Sequence, residues 1–141
     1  MTTPPGPQTA VPSDPPSAAL DEFWRERHIA TLTTQRADGS PHVVPVGVTV
    51  DETFTVARVI CSGTSVKARN VRRAGPDGAP VAVSQVDGRR WSTLEGRAVV
   101  RDDPASVAEA ERRYAERYRT PRDNPRRVVL EITLTRRLGM D

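Results

Sequence analysis

The chain has a single lysine, Lys67, although lysine and arginine together number 21. Lys67 follows Thr64 and Ser65, where a strand is predicted to end and a helix to begin. Backbone N–H groups at a helix start, two hydroxyl groups and a compact ammonium can together hold a phosphate, and the helix dipole adds about 0.3 to 1 kcal/mol. The pattern therefore predicts an anion site; the alternative interpretation is a lone solvated lysine.

A second feature with chemical meaning is the segment from residue 41 to residue 50. One face of the predicted strand carries only valines, at positions 44, 46, 48 and 50. The opposite face carries the smaller set Val43, Pro45, Gly47 and Thr49. A flat ring could lie on this second face because no bulky side chain projects from it. Pro45 has no N–H to donate, which predicts an edge position in the sheet.

Composition limits the class of protein. At 141 residues the chain is expected to form one small domain. Its one cysteine, Cys61, excludes an internal disulfide, and two histidines leave no zinc-binding spacing, so we expect a cytoplasmic protein without a metal. No apolar run approaches the length of a membrane span. The net charge of +3 comes from arginines dispersed among 18 acids, which favours small anionic ligands over nucleic acid.

The elements that must position these residues follow from periodicity and turn signals. Residues 1–17 contain six prolines and are expected to be a disordered tail before a domain that spans 18–141. Strands are predicted at 29–35, 41–50, 53–61, 81–86, 90–100 and 128–134, the first three as a meander. Helices are predicted from Ser17 to near His28, after Ser65, and from Asp103 onward.

Local signals add detail to this outline. Asp38-Gly39 and Asp87-Gly88 predict hairpin turns, and Gly96 predicts a bulge in a long strand. Six mostly antiparallel strands with short helices predict a small β-barrel. Because a barrel of this size fills its interior with side chains, a ligand is expected outside, in a groove or at a subunit interface.

Some side chains admit two interpretations. His42 could donate a proton, but a solvated histidine is favoured. Trp91 either stacks on a ligand or covers the end of the barrel. Cys61 is expected to be a small buried apolar residue. Glu95 and Arg97 are expected to pair with each other.

The last third of the chain contains both tyrosines and several arginines. Tyr114 and Tyr118 are predicted to belong to the core, and Arg122, Arg126 and Arg127 either form a solvated run or line a groove. No Ser-His-Asp, Cys-His or paired-carboxylate arrangement is visible in the sequence. This pattern favours chemistry that is carried by a cofactor.

Six segments together resemble a known family. They are ATLTT (30–34), DGSPHVVPVG (38–47), ARVI (57–60), SVKARN (65–70), SQVDG (84–88) and LEGRA (94–98). The series resembles the flavin/deazaflavin oxidoreductases of the pyridoxamine-phosphate-oxidase-like split-barrel fold, over nearly everything from Leu20 onward. At residues 90–91, 118–122 and 124–129 the resemblance extends to members that reduce biliverdin with reduced coenzyme F420.

The resemblance implies a mainly β fold, a six-stranded antiparallel split β-barrel of the FMN-binding type. It also implies a homodimer with two cofactor sites at its interface. The cofactor ring would lie along His42, Val43, Val44, Pro45 and Val46, with Arg58 and Val59 beside it. The phosphate would face Thr64, Ser65, Lys67 and Asn70. The partner chain would offer Ser84, Gln85 and Trp91.

The activity implied by the resemblance is hydride transfer from reduced coenzyme F420 to a conjugated acceptor, of which biliverdin is the leading example. Arginines near the site could receive the two propionates of biliverdin. An FMN-binding relative of pyridoxamine-phosphate oxidase and a non-catalytic F420 carrier remain as alternatives. A nucleic-acid-binding module is disfavoured because clustered basic residues interleaved with aromatic ones are absent from the sequence.

Overall fold

The computed structural model describes residues 14–140 as three helices and one antiparallel sheet of seven strands. The helices are α1 (Ala18–Arg25), α2 (Val66–Arg73) and α3 (Pro104–Arg117). The strands are β1 (Ala30–Gln35), β2 (Pro41–Val46), β3 (Val48–Val50), β4 (Val56–Ser62), β5 (Ala79–Asp87), β6 (Arg90–Arg101) and β7 (Arg127–Gly139). Their order in the sheet is β2-β1-β5-β6-β7-β4-β3. None of the three described helices is long and apolar enough to cross a membrane.

Each helix begins at a side-chain cap, and the caps at Ser17 and Asp103 are the predicted ones, whereas Ser65 was predicted as a phosphate ligand. The side chains of Ser17, Ser65 and Asp103 each accept a hydrogen bond from the N–H three residues further on. Helix α1 ends at Arg25, before the predicted end near His28. Most of the predicted tail, residues 1–13, lies outside the described residues.

The strand predicted from residue 41 to residue 50 is in fact two strands, which separate at Gly47. Strand β2 pairs with β1, whereas β3 pairs with β4 at the other edge of the sheet. The hairpin pairings predicted for these consecutive segments are found, but the middle strand is interrupted, so the described sheet has seven strands instead of six. Position 47 has no room for a side chain, because a Cβ on Gly47 would lie 2.8 Å from Cε2 of Tyr114 and 3.1 Å from Cε2 of Tyr118. At Gly47 the chain passes from one edge to the other, and this crossing closes the curled sheet.

Aliphatic side chains fill the inside of the curled sheet, because alternate strand residues point to the same face. The fully buried members include Leu32, Val48, Val83, Leu94 and Leu130. Helix α1 adds Trp24, whose Nε1 donates to the buried Ser92 hydroxyl at 2.9 Å. The predicted bulge at Gly96 is confirmed by a register shift, at a place where a Cβ would overlap the carbonyl oxygen of Thr133.

The predicted pair between Glu95 and Arg97 is wrong. Glu95 lies directly opposite Arg136 of β7 and pairs with it at 3.1 Å. Arg97 donates instead to the carbonyl oxygen of Gly78 at 3.2 Å. Strand β7 extends to Gly139, well beyond its predicted end, and this extension supplies the arginine that Glu95 uses.

Candidate functional site

A groove of about 340 Å³ opens beside the ends of β2 and β4 and the start of α2. It brings together three of the predicted site residues, Pro45, Val46 and Lys67. The other lining residues are Gly47, Ile60, Cys61, Tyr114, Arg119, Pro121, Arg122, Asn124 and Arg127. The predicted ring surface and the predicted anion site therefore meet in one groove, which makes it the candidate site.

All charged side chains that line this groove are cationic. They belong to Lys67, Arg119, Arg122 and Arg127, and the described lining contains no acid. Of these four, Arg127 alone forms an ion pair with another residue of the range 14–140, Glu111, at 2.6 Å. The uncompensated charge beside the apolar residues Pro45, Val46 and Ile60 suits a ligand that combines a flat ring with an anion.

A second cavity, of about 440 Å³, lies among α1, β3 and α3 and differs in charge. Its lining includes three arginines and three acids. Asp21 pairs with Arg25 at 2.9 Å, and Glu52 pairs with Arg113 at 3.4 Å. Because these charges largely cancel, this cavity lacks the positive character that an anionic cofactor requires.

Lys67 lies half-buried in the first turn of α2. The Ser65 hydroxyl is already engaged, since it accepts from an N–H of the helix at 3.3 Å and donates to the Ser62 carbonyl at 2.7 Å. Within residues 14–140, the N–H groups of Val66 and Lys67 and the hydroxyl of Thr64 have no protein partner. Two N–H groups, one hydroxyl and one ammonium thus remain available for an anion.

Cys61 lines the groove close to Lys67. Burial raises the pKa of its thiol, although the Ser65 hydroxyl and the Lys67 charge act in the opposite direction. The thiol therefore stays protonated at neutral pH. This agrees with the predicted apolar character of Cys61, although the residue is half-buried in the groove wall and not fully buried as predicted.

The β2 residues predicted to carry the ring divide between two faces. Val43 is 56% exposed on the outer face, whereas Val44 packs against the core. His42 lies on the same face as Val44 and opposite Thr34, is half-buried, and has an enclosed Nδ1 without a partner in the described part of the chain. The prediction of a solvated histidine is wrong, because this face of β2 turns toward the interior.

On β4, the residues that reach the groove lie further along the strand than predicted. Val59 is 1% exposed and its side chain belongs to the core. Arg58 is half-buried opposite Thr49, and its Nη1 is enclosed without a partner among the described residues. The side chains that line the groove belong instead to Ile60 and Cys61.

The side-chain amides of two predicted site residues form hydrogen bonds within the chain. Asn70 is 5% exposed; it donates to the Thr34 hydroxyl at 3.0 Å and accepts from a guanidinium of its own helix at 3.2 Å. Gln85 is 2% exposed; it donates to the Phe23 carbonyl at 2.9 Å and accepts from Arg117 at 2.9 Å. Neither side-chain amide is turned toward the groove.

The remaining predicted residues lie on the outer face of the sheet. The Ser84 hydroxyl forms a hydrogen bond with that of Thr93 at 2.8 Å. Trp91 is 47% exposed and lies opposite Val86, which is 70% exposed. These residues do not line the groove of their own chain, so they could reach a cofactor only in a partner chain.

Most of the groove wall formed by α3 and the loop that follows it was not predicted from the sequence. Tyr114 was assigned to the core but is half-buried and lines the groove over Gly47. Arg119 and Asn124 were not singled out, whereas Arg122 and Arg127 were considered as groove residues. The available signal was the group of arginines around Pro121 and Pro125, directly after a helix, at positions 119, 122, 126 and 127.

Known proteins match this chain over most of its length. The family model described as pyridoxamine 5'-phosphate oxidase matches residues 16–140. A protein of Mycobacterium tuberculosis (strain CDC 1551 / Oshkosh), named F420H(2)-dependent biliverdin reductase, is 57% identical over 117 residues, which cover 83% of this chain and 82% of that protein.

Solved structures agree on the fold. A structure titled F420 reductase is 23% identical, with a TM-score of 0.67 over 91% of this chain and 98% of that chain. A conserved hypothetical protein of Mycobacterium tuberculosis is 24% identical, with a TM-score of 0.73 over 94% and 90%. A putative pyridoxamine 5'-phosphate oxidase of Lactobacillus delbrueckii is 18% identical, with a TM-score of 0.66 over 90% and 97%. The predicted split-barrel fold class is confirmed, with seven strands.

Proposed function

Because the chain belongs to the pyridoxamine 5'-phosphate oxidase family, we propose that it is an oxidoreductase that uses reduced coenzyme F420 to reduce a conjugated acceptor, biliverdin to bilirubin. The relative that is 57% identical is named for this activity. The observation that carries the proposal is the groove, in which Pro45 and Val46 of the predicted ring surface lie beside the ammonium of Lys67.

The donors around the groove fit a cofactor that has both a ring and a phosphate. Lys67, the Thr64 hydroxyl and the free N–H groups at the start of α2 would hold the phosphate. Pro45 and Val46 would support the ring. When bound, coenzyme F420 supplies the hydride, so the chain needs no nucleophile of its own.

The chain contributes orientation and an apolar environment. Ile60 and the protonated thiol of Cys61 keep part of the groove apolar. Tyr114 lies over Gly47 and bounds the end of the surface on which the ring would lie. Holding donor and acceptor in a fixed geometry is the main way in which such a site lowers the barrier to hydride transfer.

FMN is the second candidate cofactor. The matching family model is described as an oxidase of pyridoxamine 5'-phosphate, and FMN also combines a ring with a phosphate that Lys67 could bind. A chain that binds F420 without turning over any acceptor would instead be a carrier.

The homodimer is a further part of the proposal. Val43, Val86 and Trp91 are exposed apolar side chains on the outer face of the sheet, next to the half-buried Ser84. We assign this face to the contact between two chains, which would bring Trp91 and Ser84 to the cofactor of the partner. Light scattering should give twice the chain mass for the native protein, and Val86→Glu should give a monomer; a native monomer contradicts the assignment.

The test of the function uses the purified full chain. F420 and FMN are titrated by fluorescence, and biliverdin is then added to the complex with reduced F420 while absorbance is followed. We expect F420 binding and the appearance of bilirubin. Tight FMN binding without F420 binding contradicts the proposal, and F420 binding without turnover supports the carrier.

A further inference from the structure

We propose that Arg119 and Arg122 bind a pair of carboxylates at the groove, an inference that rests on the proposed function. Both residues lie on the loop between α3 and β7, line the groove and are exposed. In the described part of the chain, neither guanidinium has a hydrogen bond or an ion pair. Two unpaired guanidinium groups on one short loop match a ligand with two carboxylates, since each planar fork can hold one carboxylate through two hydrogen bonds.

The loop that carries these arginines is fixed to the rest of the site. The side-chain amide of Asn124 donates to the Ser62 hydroxyl at 2.9 Å, and the N–H of Gly63 donates to the Arg126 carbonyl at 2.8 Å. Both contacts join the loop to the end of β4, directly before the helix that carries Lys67. A backbone already held in place lowers the entropy that is lost when a ligand binds.

The third arginine of this wall has a different role. The side chain of Arg127 is 10% exposed and pairs with Glu111 at 2.6 Å. It also donates to the backbone carbonyl of Arg122 at 2.7 Å. Arg127 therefore holds the loop and is neutralised by Glu111, whereas Arg119 and Arg122 keep their charge for a ligand.

Two molecules of the proposed reaction offer carboxylates. Biliverdin carries two propionates, and coenzyme F420 carries a glutamate tail. The shared chemistry is a dicarboxylate in a groove without acids, and the experiment must separate the two sources. Coulomb attraction between exposed groups weakens with salt, so binding through either source should weaken as ionic strength rises.

The test compares Arg119→Ala, Arg122→Ala and the double variant with Arg126→Ala. Arg126 is a matched control because it is exposed on the same loop, and its side chain does not line the groove and has no hydrogen bond or ion pair with a described residue. Affinities are measured by fluorescence quenching for biliverdin, for its dimethyl ester, and for F420 preparations that differ in the number of tail glutamates. Circular dichroism confirms that each variant is folded.

We expect each single variant to bind its dicarboxylate roughly tenfold more weakly, since hydrogen bonds to charged groups have this order of strength. A loss for biliverdin but not for its ester identifies the acceptor as the source. A loss of affinity that is confined to F420, and that is larger for preparations with more tail glutamates, identifies the cofactor as the source of the carboxylates. Unchanged affinities in the double variant, or an equal loss in Arg126→Ala, overturn the proposal.

These outcomes are distinguishable from a failure of the proposed function. If the native chain does not transfer hydride from reduced F420 to biliverdin, the function fails, whatever the arginine variants do to ligand affinity. If the native chain turns biliverdin over and the double variant has unchanged KM for biliverdin and unchanged affinity for F420, the arginine proposal alone fails.

Discussion

The hydroxyl group of Tyr118 joins β3 to the segment between α1 and β1, since it accepts from the N–H of Val48 at 3.1 Å and donates to the carbonyl of His28 at 2.6 Å. Val48 is fully buried and begins β3 directly after the crossing at Gly47. Burial raises the pKa of Tyr118, so the phenol is neutral at neutral pH and can both donate and accept. A side chain at the end of α3 thus fixes the point where the surface around Pro45 ends.

Tyr118→Phe should destabilise the protein, because it leaves the buried N–H of Val48 without an acceptor. The expected loss is about 1 to 3 kcal/mol in the free energy of unfolding, measured by urea denaturation. Tyr114→Phe is the control, since the Tyr114 hydroxyl has no hydrogen bond within residues 14–140. Equal stability of the two variants would contradict this role for Tyr118.

Gly47→Ala should destabilise the fold and disturb the groove. The added methyl would lie 2.8 Å from Cε2 of Tyr114, so the ring must shift away from its place over the crossing. Overpacking of this kind costs typically about 1 to 3 kcal/mol. In a double-mutant cycle with Tyr114→Ala, the second substitution should remove much of the clash, so the two losses should be less than additive. Strict additivity would show that Tyr114 is not the residue that requires Gly47.

Helix starts and turns were predicted correctly because their causes are local. Ser17, Ser65 and Asp103 act on N–H groups only three residues away. The break at Gly47 was missed because the residues packed against this position, Tyr114 of α3 and Tyr118 directly after it, are distant in the sequence. The alternation of side chains along residues 41–50 does not indicate that the strand is interrupted at Gly47.

The candidate site was predicted only in part, because some of its residues depend on contacts that are distant in the sequence. Lys67 and Pro45 could be identified from neighbouring residues, whereas the arginine wall depends on a loop that folds back onto the end of β4 through Asn124 and Ser62. Gln85 resembled a ligand-binding residue, yet its amide is bonded to a backbone carbonyl of α1 and to Arg117 of α3. Long-range partners of this kind become visible only in the folded chain.

Glu26 should contribute to the pH dependence of stability. Hydrogen bonds from Arg90, and then from His28, lower the pKa of its carboxyl from 4.5 to about 2. Since the folded pKa lies below the unfolded one, the contribution is present above about pH 4.5 and is lost as the pH falls toward 2.

Glu26→Gln should therefore flatten the fall in melting temperature over this acid range. Glu22→Gln is the matched control, because the Glu22 carboxylate is exposed and has no side-chain partner among the described residues. Melting temperatures followed by circular dichroism from about pH 6 to about pH 3 test this expectation. The expectation is refuted if the melting temperatures of the native chain and of Glu26→Gln fall equally as the pH is lowered.

Lys67 should be required for cofactor binding and not for folding. Lys67→Ala removes the ammonium from the group of donors at the start of α2, and its side chain has no hydrogen bond or ion pair in the described chain that its loss would break. We expect F420 affinity to fall substantially, by roughly tenfold or more, while the melting temperature stays nearly unchanged. Arg69→Ala, at an exposed residue of the same helix, is the control.

Lys67→Arg tests whether an ammonium is required at this position, in a chain whose other basic side chains of this kind are all arginines. A compact ammonium can approach a phosphate beside the N–H groups of a first turn, where a planar guanidinium is bulkier, so arginine should restore the charge but only part of the affinity. Full affinity in Lys67→Arg would mean that charge alone is needed, and full affinity in Lys67→Ala would exclude Lys67 from the phosphate site.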